Sequence, residues 1–314
     1  MPLAQKWAGG YEKQHPGVTV TTAGGGSGAG IKDAIGAAVD VGATDAYLSA
    51  GDLVQNSSLL NIPVVVSAQT VIYNLPSLSA NVHLILDGVV LADMYDGTIT
   101  TWNDPKIASL NPGVSLPPTK VVPFHRADSS GDTFLFTSYL STQDPDQWGL
   151  NGYGTTVVWP PVASAKAETG STNMEHYCAL TPGCVAYNGI SYLNQAQTDN
   201  LGEAKLVNAA GNPELPGGPA ISAAIAPFVS LTPPNETISM IDGPAQDGYP
   251  IVNFEYAVVS RNQPSAAKAS EIKAFLQWVI TTGNQPSYLT PLGFQALPSD
   301  IVTLDEQQIA EIGS

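Results

Sequence analysis

The chain is poor in positive charge and in histidine. It carries 11 Lys and Arg against 27 Asp and Glu among 314 residues, so its formal net charge is −16. Such an acidic surface disfavours nucleic acid and anionic membranes as partners, because both are polyanions. Its four histidines, His15, His83, His125 and His176, show no metal-ligand spacing. We therefore expect no nucleic-acid partner, no metal and no cofactor.

Long apolar runs are also missing from the sequence. None approaches the ~20 apolar residues of a membrane helix, and the first seven residues lack the basic region and apolar core of a signal peptide. Hydrophobic residues nevertheless make up 43% of the chain, a globular composition. The length suffices for two lobes with cores of their own.

Cysteine occurs only twice, as Cys178 and Cys184. The turn sequence Thr181-Pro182-Gly183 between them would fold this short loop back so that the sulfurs meet. We interpret the pair as a structural disulfide, which indicates an oxidising, exported setting. A zinc site and two free thiols in a cytosolic loop are the alternatives.

Apolar β-branched runs alternate with helical patterns along the chain, which is typical of an α/β fold. Residues 18–22 are predicted to form a strand before the glycine-rich run 24–30, and residues 31–39 have helical spacing. A last helix is predicted to begin at Thr303, where Thr303-Leu304-Asp305-Glu306 fits a capping box.

Two long extended stretches, 62–73 and 251–259, suggest a division into lobes. If each stretch crosses between lobes, residues 1–70 and 255–314 form lobe I and residues 71–254 form lobe II. The crossover strands near 66–74 and 250–258 would then act as a hinge beside a cleft.

The segment 126–132, with the sequence RADSSGD, carries the clearest chemical signal. It leads into the apolar run 134–140 and is typical of the start of a buried helix. A helix start offers unpaired N–H groups and partial positive charge, and a fixed arginine beside it completes an anion pocket. The alternative is an ordinary helix start with Ser130 as N-cap and Asp132 favoured by the helix dipole.

The carboxylate of Asp128 inside this pocket limits which anion can bind. An aspartate repels an anion unless the anion brings a proton of its own. Monohydrogen phosphate does so at neutral pH, whereas sulfate does not. The combination of Arg126 and Asp128 therefore indicates a phosphate receptor.

Two features of the first 50 residues add to this interpretation. The glycine-rich run 24–30 follows a predicted strand and could cradle an oxyanion, although most such runs only form turns. It lacks the Rossmann and P-loop spacings. Asp45, the last residue of the short predicted strand 41–45, would orient Arg126; the alternative is a surface acid in a loop.

Together these segments resemble the phosphate-specific substrate-binding proteins of bacterial ABC importers, in particular the actinobacterial, mycobacterial-type receptors. The resemblance implies an α/β, two-lobed fold of the periplasmic-binding-protein type II class, with the ligand cleft between the lobes. The segments that carry it are 24–30, 41–46, 99–105, 110–113, 126–140, 182–187 and 241–250.

The resemblance also implies a set of ligand-binding residues. Ser27 and Asp45 would contact phosphate or its arginine from lobe I. Asp128 would accept the phosphate proton. Many family members carry Thr after Ser-Gly, where this chain has Asp132, a second proton acceptor that would favour the more protonated ion at lower pH. From lobe II the ligand-binding residues would be Arg126, Asp128, Ser130, Gly131 and Asp132.

Family members also open with a strand and a small turn before the first helix, whereas this chain begins at Met1-Pro2-Leu3, inside the corresponding helix. We expect it to lack that N-terminal strand. We expect a monomer without enzymatic activity, which binds inorganic phosphate with high affinity and delivers it to an ABC-type import permease. It would be exported to the periplasm or cell surface, with any lipid anchor in a segment absent from this chain.

Three alternative functions remain open from the sequence. One is a phosphate-ester hydrolase on the same scaffold, which would need a nucleophile or a metal-bound water near the site. Another is a receptor for a different oxyanion such as sulfate or molybdate, in which Asp128 would have no role. The third is a surface interaction protein that has lost transport.

Overall fold

A computed structural model describes residues 1–79 and 81–314. The helices are α1 Pro2–Gln14, α2 Gly26–Ile35, α3 Ala50–Gln55, α4 Gly88–Asp96, α5 Pro105–Leu110, α6 Gly131–Gln143, α7 Ser171–Ala179, α8 Leu193–Thr198, α9 Gly218–Val229, α10 Ala266–Ile280, α11 Pro286–Leu289 and α12 Ser299–Glu311. The strands are β1 Gly42–Thr44, β2 Leu59–Tyr73, β3 Ile85–Leu86, β4 Val122–Arg126, β5 Lys166–Glu168, β6 Cys184–Gly189, β7 Gly202–Glu203, β8 Lys205–Val207, β9 Pro213–Glu214 and β10 Val252–Ser260. This alternation of helices and strands confirms the α/β prediction.

The chain forms two compact units. Unit 1 comprises Met1–Ser67, Ala226–Ser239 and Asn253–Ser314, and unit 2 comprises Ala68–Ile225 and Met240–Val252. The chain passes between the units within β2 and β10, the two long extended stretches seen in the sequence. Residues 226–239, which we had assigned to lobe II, belong to unit 1. The lobe boundaries and the hinge stay predictions.

In unit 1, tight packing of α2 against β1 fixes the positions of Ser27 and Asp45. Strand β1 pairs with β10 antiparallel. A Cβ on Gly30 would lie 2.1 Å from the Ala43 carbonyl oxygen, and a Cβ on Gly42 would lie 2.2 Å from the Gly30 carbonyl oxygen. Only glycine at both positions allows this backbone approach. The second residue of α2 therefore lies beside the end of β1.

Unit 2 is built on parallel strands that end at the candidate site. Strand β4 lies between β5 and β6 and runs parallel to both, while β6 pairs antiparallel with β2. Helix α6 follows β4 and packs on one sheet face, where Phe136 stacks on Tyr187 with ring centroids 4.5 Å apart. A smaller sheet has the order β3-β8-β9. The ends of β4 and β6 thus lie at one sheet edge, where anion sites of α/β proteins are found.

Two details of the sequence interpretation are wrong. The strand predicted at residues 18–22 is not formed. The Val20 N–H donates to the Glu12 carboxylate at 2.8 Å and not to a neighbouring strand. The last helix begins at Ser299, not at Thr303, whose hydroxyl donates to the Ser299 carbonyl one turn earlier. The proposed capping-box sequence is therefore in the helix interior.

The cysteine prediction is confirmed. Cys178 and Cys184 form a disulfide with their Cα atoms 5.4 Å apart, a separation typical of such bonds. The zinc and free-thiol alternatives are thereby excluded for this pair. Across the part of the chain that the structure describes, every helix is too short or too polar to cross a membrane.

Candidate anion-binding site

Arg126, the last residue of β4, organises the site in unit 2. Its side chain is buried, and its Nε donates to Oδ1 of Asp128 at 2.7 Å while Nη2 donates to Oδ2 of the same carboxylate. Its Nη1 donates to Oδ2 of Asp132 at 2.8 Å and to Oγ of Ser171 at 3.0 Å. Two carboxylates and a hydroxyl therefore fix the guanidinium in one orientation.

The backbone of Arg126 is tied to the first turn of α6. Its N–H donates to the Tyr187 hydroxyl at 3.0 Å, and that hydroxyl is hydrogen-bonded to Oγ1 of Thr133 at 2.8 Å. Burial raises the pKa of Tyr187 well above its usual value, so the hydroxyl stays protonated. The end of β4 and the start of α6 are thus held in a fixed position relative to each other.

Helix α6 begins as the sequence predicted, with Ser130 as its N-cap. The Ser130 Oγ accepts from the Asp132 N–H at 3.1 Å, and Gly131 and Asp132 are the first two helical residues. Both are buried. The N-terminal end of a 13-residue helix therefore adjoins the fixed guanidinium, which supplies partial positive charge for an anion. A helix start capped by Ser130 and an anion pocket at the same place are compatible. The two interpretations of residues 126–132, an ordinary helix start and an anion site, therefore do not exclude each other.

Asp128 is an ionised acceptor with little spare capacity. Its Oδ1 accepts from Arg126 and also from the Gly170 N–H at 3.1 Å, and its Oδ2 accepts from Arg126. Burial raises the pKa of Asp128, but the bonds from Arg126 and Gly170 outweigh it and leave the pKa below its usual value.

The charges in this cluster do not sum to a positive site. One guanidinium faces the carboxylates of Asp128 and Asp132. Burial alone would lower the pKa of Arg126, but its bond to Asp128 and the charges of both acids raise the pKa above its usual value, so the guanidinium stays charged. The side-chain charges sum to −1 when both acids are ionised. An anion here must be held by directed hydrogen bonds and the helix N-terminus rather than by surplus positive charge.

The structure also brings Ser27 and Asp45 together, within unit 1. The Asp45 N–H donates to Oγ of Ser27 at 3.0 Å, and that hydroxyl donates to Oδ2 of Asp45 at 3.4 Å. Asn253 donates to the Asp45 carbonyl at 3.2 Å. Within unit 2, Asp128 and Asp132 are the acids that orient Arg126, so a part for Asp45 in orienting it stays a prediction.

Sequence reasoning missed Ser171, the first residue of α7. Its hydroxyl donates to Oδ2 of Asp132 at 2.9 Å and accepts from Arg126, so it links the acid to the guanidinium. Gly170, whose N–H reaches Asp128, was missed with it. The pair Gly170-Ser171 before a helical pattern was the available signal, but nothing local connects it with a motif about 40 residues earlier.

Residues 1–79 and 81–314 contain no group of three or more His, Cys, Asp and Glu side chains placed to hold a metal ion. His125, next to Arg126, stacks on Trp159 with ring centroids 4.8 Å apart. Burial lowers its pKa, which favours the neutral ring. Its surroundings are those of an aromatic core.

Comparisons with known proteins agree with this geometry. The family model described as a PBP superfamily domain matches residues 1–282. The phosphate-binding protein PstS of Methanocaldococcus jannaschii is 35% identical over 96% of this chain and 80% of its own length. The phosphate-binding protein PstS 3 of Mycobacterium bovis is 32% identical over 92% of this chain and 78% of its own length.

Solved structures confirm the fold prediction. A high-affinity periplasmic phosphate-binding protein, solved with phosphate bound, superposes with a TM-score of 0.73 at 22% identity. The match covers 98% of this chain and 91% of that one. A phosphate ABC transporter substrate-binding protein from Clostridium perfringens, also with bound phosphate, gives a TM-score of 0.64 at 16% identity over 95% of each chain.

Proposed function

Because the chain belongs to the PstS family of phosphate-binding proteins, within the PBP superfamily, we propose that it binds inorganic phosphate and delivers it to an ABC-type import permease. It acts as a receptor and not as an enzyme. One observation of the structure supports phosphate above other oxyanions: the guanidinium of Arg126 lies between two carboxylates at the N-terminus of α6.

The proposed ligand contacts divide into donors and acceptors. Arg126, the Ser130 hydroxyl and the N–H of Gly131 donate to phosphate oxygens, which carry most of the negative charge. Asp128 accepts the ligand proton. Ser27 and Asp45 are proposed as further ligand contacts from unit 1, supported by their mutual bonding at the end of a glycine-rich turn.

Selectivity follows from the charge balance of the cluster. A protonated phosphate converts one repulsive carboxylate contact into a hydrogen bond, whereas sulfate is fully ionised at neutral pH and has nothing to donate. If the ligand has no proton to donate, the carboxylate acceptor of the receptor is left without a hydrogen bond. In well-built sites such a mismatch lowers affinity by roughly 10⁴-fold. Phosphate is therefore proposed to bind and sulfate to be rejected.

Asp132 is proposed as a second proton acceptor. It would make the site favour dihydrogen phosphate, so affinity should fall as pH rises through the second ionisation of phosphate. Asp132→Thr should bind with a shallower pH dependence, measured by calorimetric titration between pH 5 and about pH 9. Identical pH profiles of wild type and variant would remove Asp132 from this role.

Export and the monomeric state are proposed along with phosphate transport. The disulfide supports a periplasmic or cell-surface location, because such bonds persist in oxidising compartments. The permease partner is proposed from the family alone.

Calorimetric titration of the wild-type protein with phosphate, with sulfate and with a chromogenic phosphate ester tests the function. We expect one phosphate per chain, no measurable heat from sulfate and no release of the chromophore. No binding of phosphate would refute the receptor function. Turnover of the ester would establish a hydrolase instead.

A further inference from the structure

Gln69 is a buried side chain that the site described so far does not use. It lies in β2, within unit 2, and its side chain is 0% exposed. Neither Oε1 nor Nε2 has a hydrogen-bond partner among residues 1–79 and 81–314. Buried amides nearly always have partners, so an amide with both ends unpartnered calls for an explanation, and a bound ligand would supply one.

The backbone at this position is firmly held. The Gln69 N–H donates to the Ile251 carbonyl at 3.0 Å, and its carbonyl accepts from the Tyr249 hydroxyl at 2.7 Å. Strand pairing places Gln69 directly opposite Gly189, the last residue of β6. The side chain therefore leaves a fixed point of the sheet in a fixed direction.

That direction is toward the start of α6. Tyr187 faces α6, since its hydroxyl bonds to Thr133 and its ring stacks on Phe136. Side chains alternate along a strand, so position 189 faces α6 as well. A Cβ at Gly189 would in fact lie 3.5 Å from Oδ1 of Asp132.

Directly opposed residues of an antiparallel pair share a face, with Cβ positions about 5 Å apart. Gln69 therefore projects on the α6 side of the sheet, next to Asp132. Because Gly189 has no side chain, nothing at that position separates the amide from the N-terminus of α6. The unpartnered amide and the anion pocket thus occupy the same edge of unit 2.

We propose that the side-chain amide of Gln69 contacts the bound phosphate. This inference rests on the proposed phosphate-binding function and adds a ligand residue to it. A primary amide has two donor hydrogens and an acceptor oxygen, which match the unprotonated oxygens and the P–OH group of a protonated phosphate. The amide is neutral, so it adds a contact without changing the charge balance set by Arg126, Asp128 and Asp132.

Gln69→Leu tests the proposal, since leucine fills similar space without polar atoms. Titration calorimetry at pH 7 should show phosphate affinity weakened about tenfold or more, the loss of one to two hydrogen bonds. The melting temperature of the ligand-free variant should equal or exceed that of wild type, because the leucine buries no unpaired polar group. Phosphate affinity within twofold of wild type would overturn the proposal.

Thr70→Val is the matched control, in the same strand but on the opposite sheet face. Its hydroxyl bonds to the Asn188 carbonyl at 3.1 Å, so the change removes a buried bond elsewhere. We expect it to lower the melting temperature and to leave phosphate affinity within twofold. An equal loss of affinity in both variants would assign the effect to β2 as a whole and contradict a contact by Gln69.

A second measurement uses the unmodified chain and keeps the proposal testable if Gln69→Leu does not fold. The side-chain NH₂ resonances of Gln69, assigned through bonds in labelled protein, should shift when phosphate is added and stay in place with sulfate. Unchanged resonances in a phosphate-saturated protein would contradict the contact. If wild type does not bind phosphate at all, the proposed function itself fails, which is a separate outcome.

Discussion

Two pairs of neighbouring carboxyl groups in this molecule, one beside an arginine, differ in their pKa values. In unit 2, Asp128 and Asp132 face Arg126, and the pKa of Asp128 is lowered despite its burial. In unit 1, Glu236 and Asp305 are both 0% exposed, burial raises the pKa of both, and the charge of Glu236 adds to the rise for Asp305. Gln308 donates to Glu236 at 2.5 Å.

The two pairs of acids differ in whether the folded protein favours a bound proton on them. Burial and mutual repulsion disfavour two negative charges on neighbouring acids, so Glu236 and Asp305 favour a bound proton in the folded protein. In unit 2 the bonds from Arg126 keep the pKa of Asp128 below its usual value. Asp128 is therefore a proton acceptor without a proton, and in the proposed function the proton arrives with the ligand.

The largest expected effect comes from removing the arginine and so making unit 2 resemble unit 1. Arg126→Ala leaves the buried Asp132 and the half-buried Asp128 without their cationic partner, which should destabilise the fold by about 3–5 kcal/mol at pH 7. Phosphate affinity should fall by at least about 100-fold. Urea denaturation and calorimetric titration measure the two effects. Stability should partly recover at lower pH as the orphaned acids become protonated.

Arg261→Ala is the control for that variant. Arg261 pairs with Glu311 at 3.0 Å, but both side chains are more than 40% exposed. Exposed pairs contribute at most about 1 kcal/mol, so this change should leave phosphate binding intact. If the two arginine variants lost similar amounts of stability, the contrast between buried and exposed guanidinium groups would be wrong.

The second prediction concerns the pH dependence set by the unit 1 pair. Because the pKa of Glu236 in the folded state lies above its ordinary value of 4.5, the folded protein keeps a proton that the unfolded chain loses. The stabilisation that comes from this extra proton is complete below pH 4.5 and is lost as pH rises toward the pKa of Glu236 in the folded protein. The free energy of unfolding should thus fall by about 1 kcal/mol per pH unit in this window.

Glu236→Gln should flatten this pH profile, because the glutamine amide donates to Asp305 without a titrating proton. Asp146→Asn, a change at an exposed acid in unit 2, should leave the slope unchanged. Urea denaturation between pH 4.5 and 8 provides the comparison. A slope equal to that of wild type in Glu236→Gln would show that this pair does not hold the proton.

A smaller effect is expected from the hydroxyl that links the charges of unit 2. Ser171→Ala removes one bond to Arg126 and one to Asp132, which should weaken phosphate binding by about 1 kcal/mol, or roughly fivefold. Ser141→Ala is the control, since its hydroxyl has no hydrogen-bond partner within the described residues. Equal phosphate affinities for both variants would exclude Ser171 from fixing Arg126.

Much of the site was predictable because it is local in sequence. Residues 126–132 contain the guanidinium, both acids, the N-cap and the helix start, and their contacts follow from one strand end and one helix. Ser27 and Asp45 could likewise be linked to turn positions beside a strand and a helix. The disulfide was predictable for the same reason, because its loop contains its own turn.

Contacts between distant segments were not predictable from the sequence. Ser171 reaches Arg126 only because β5 brings the chain alongside β4. Gln69 is one of several polar residues in a 15-residue strand that is buried throughout. Only the pairing register of β2 with β6 shows that it lies opposite Gly189. Glu236 and Asp305 meet through packing in unit 1. The strand predicted at 18–22 failed because β propensity does not supply a pairing partner.

The central claim is that the ligand must bring a proton to a charged carboxylate. Calorimetric titration of wild type and Asp128→Asn with both phosphate and sulfate tests it directly. The account predicts that wild type binds phosphate and gives no heat with sulfate, whereas the variant, with an amide donor in place of one acceptor, gains measurable sulfate binding and loses much of its preference for phosphate. Equal affinity of wild type for the two ions, or an unchanged preference in the variant, would contradict it.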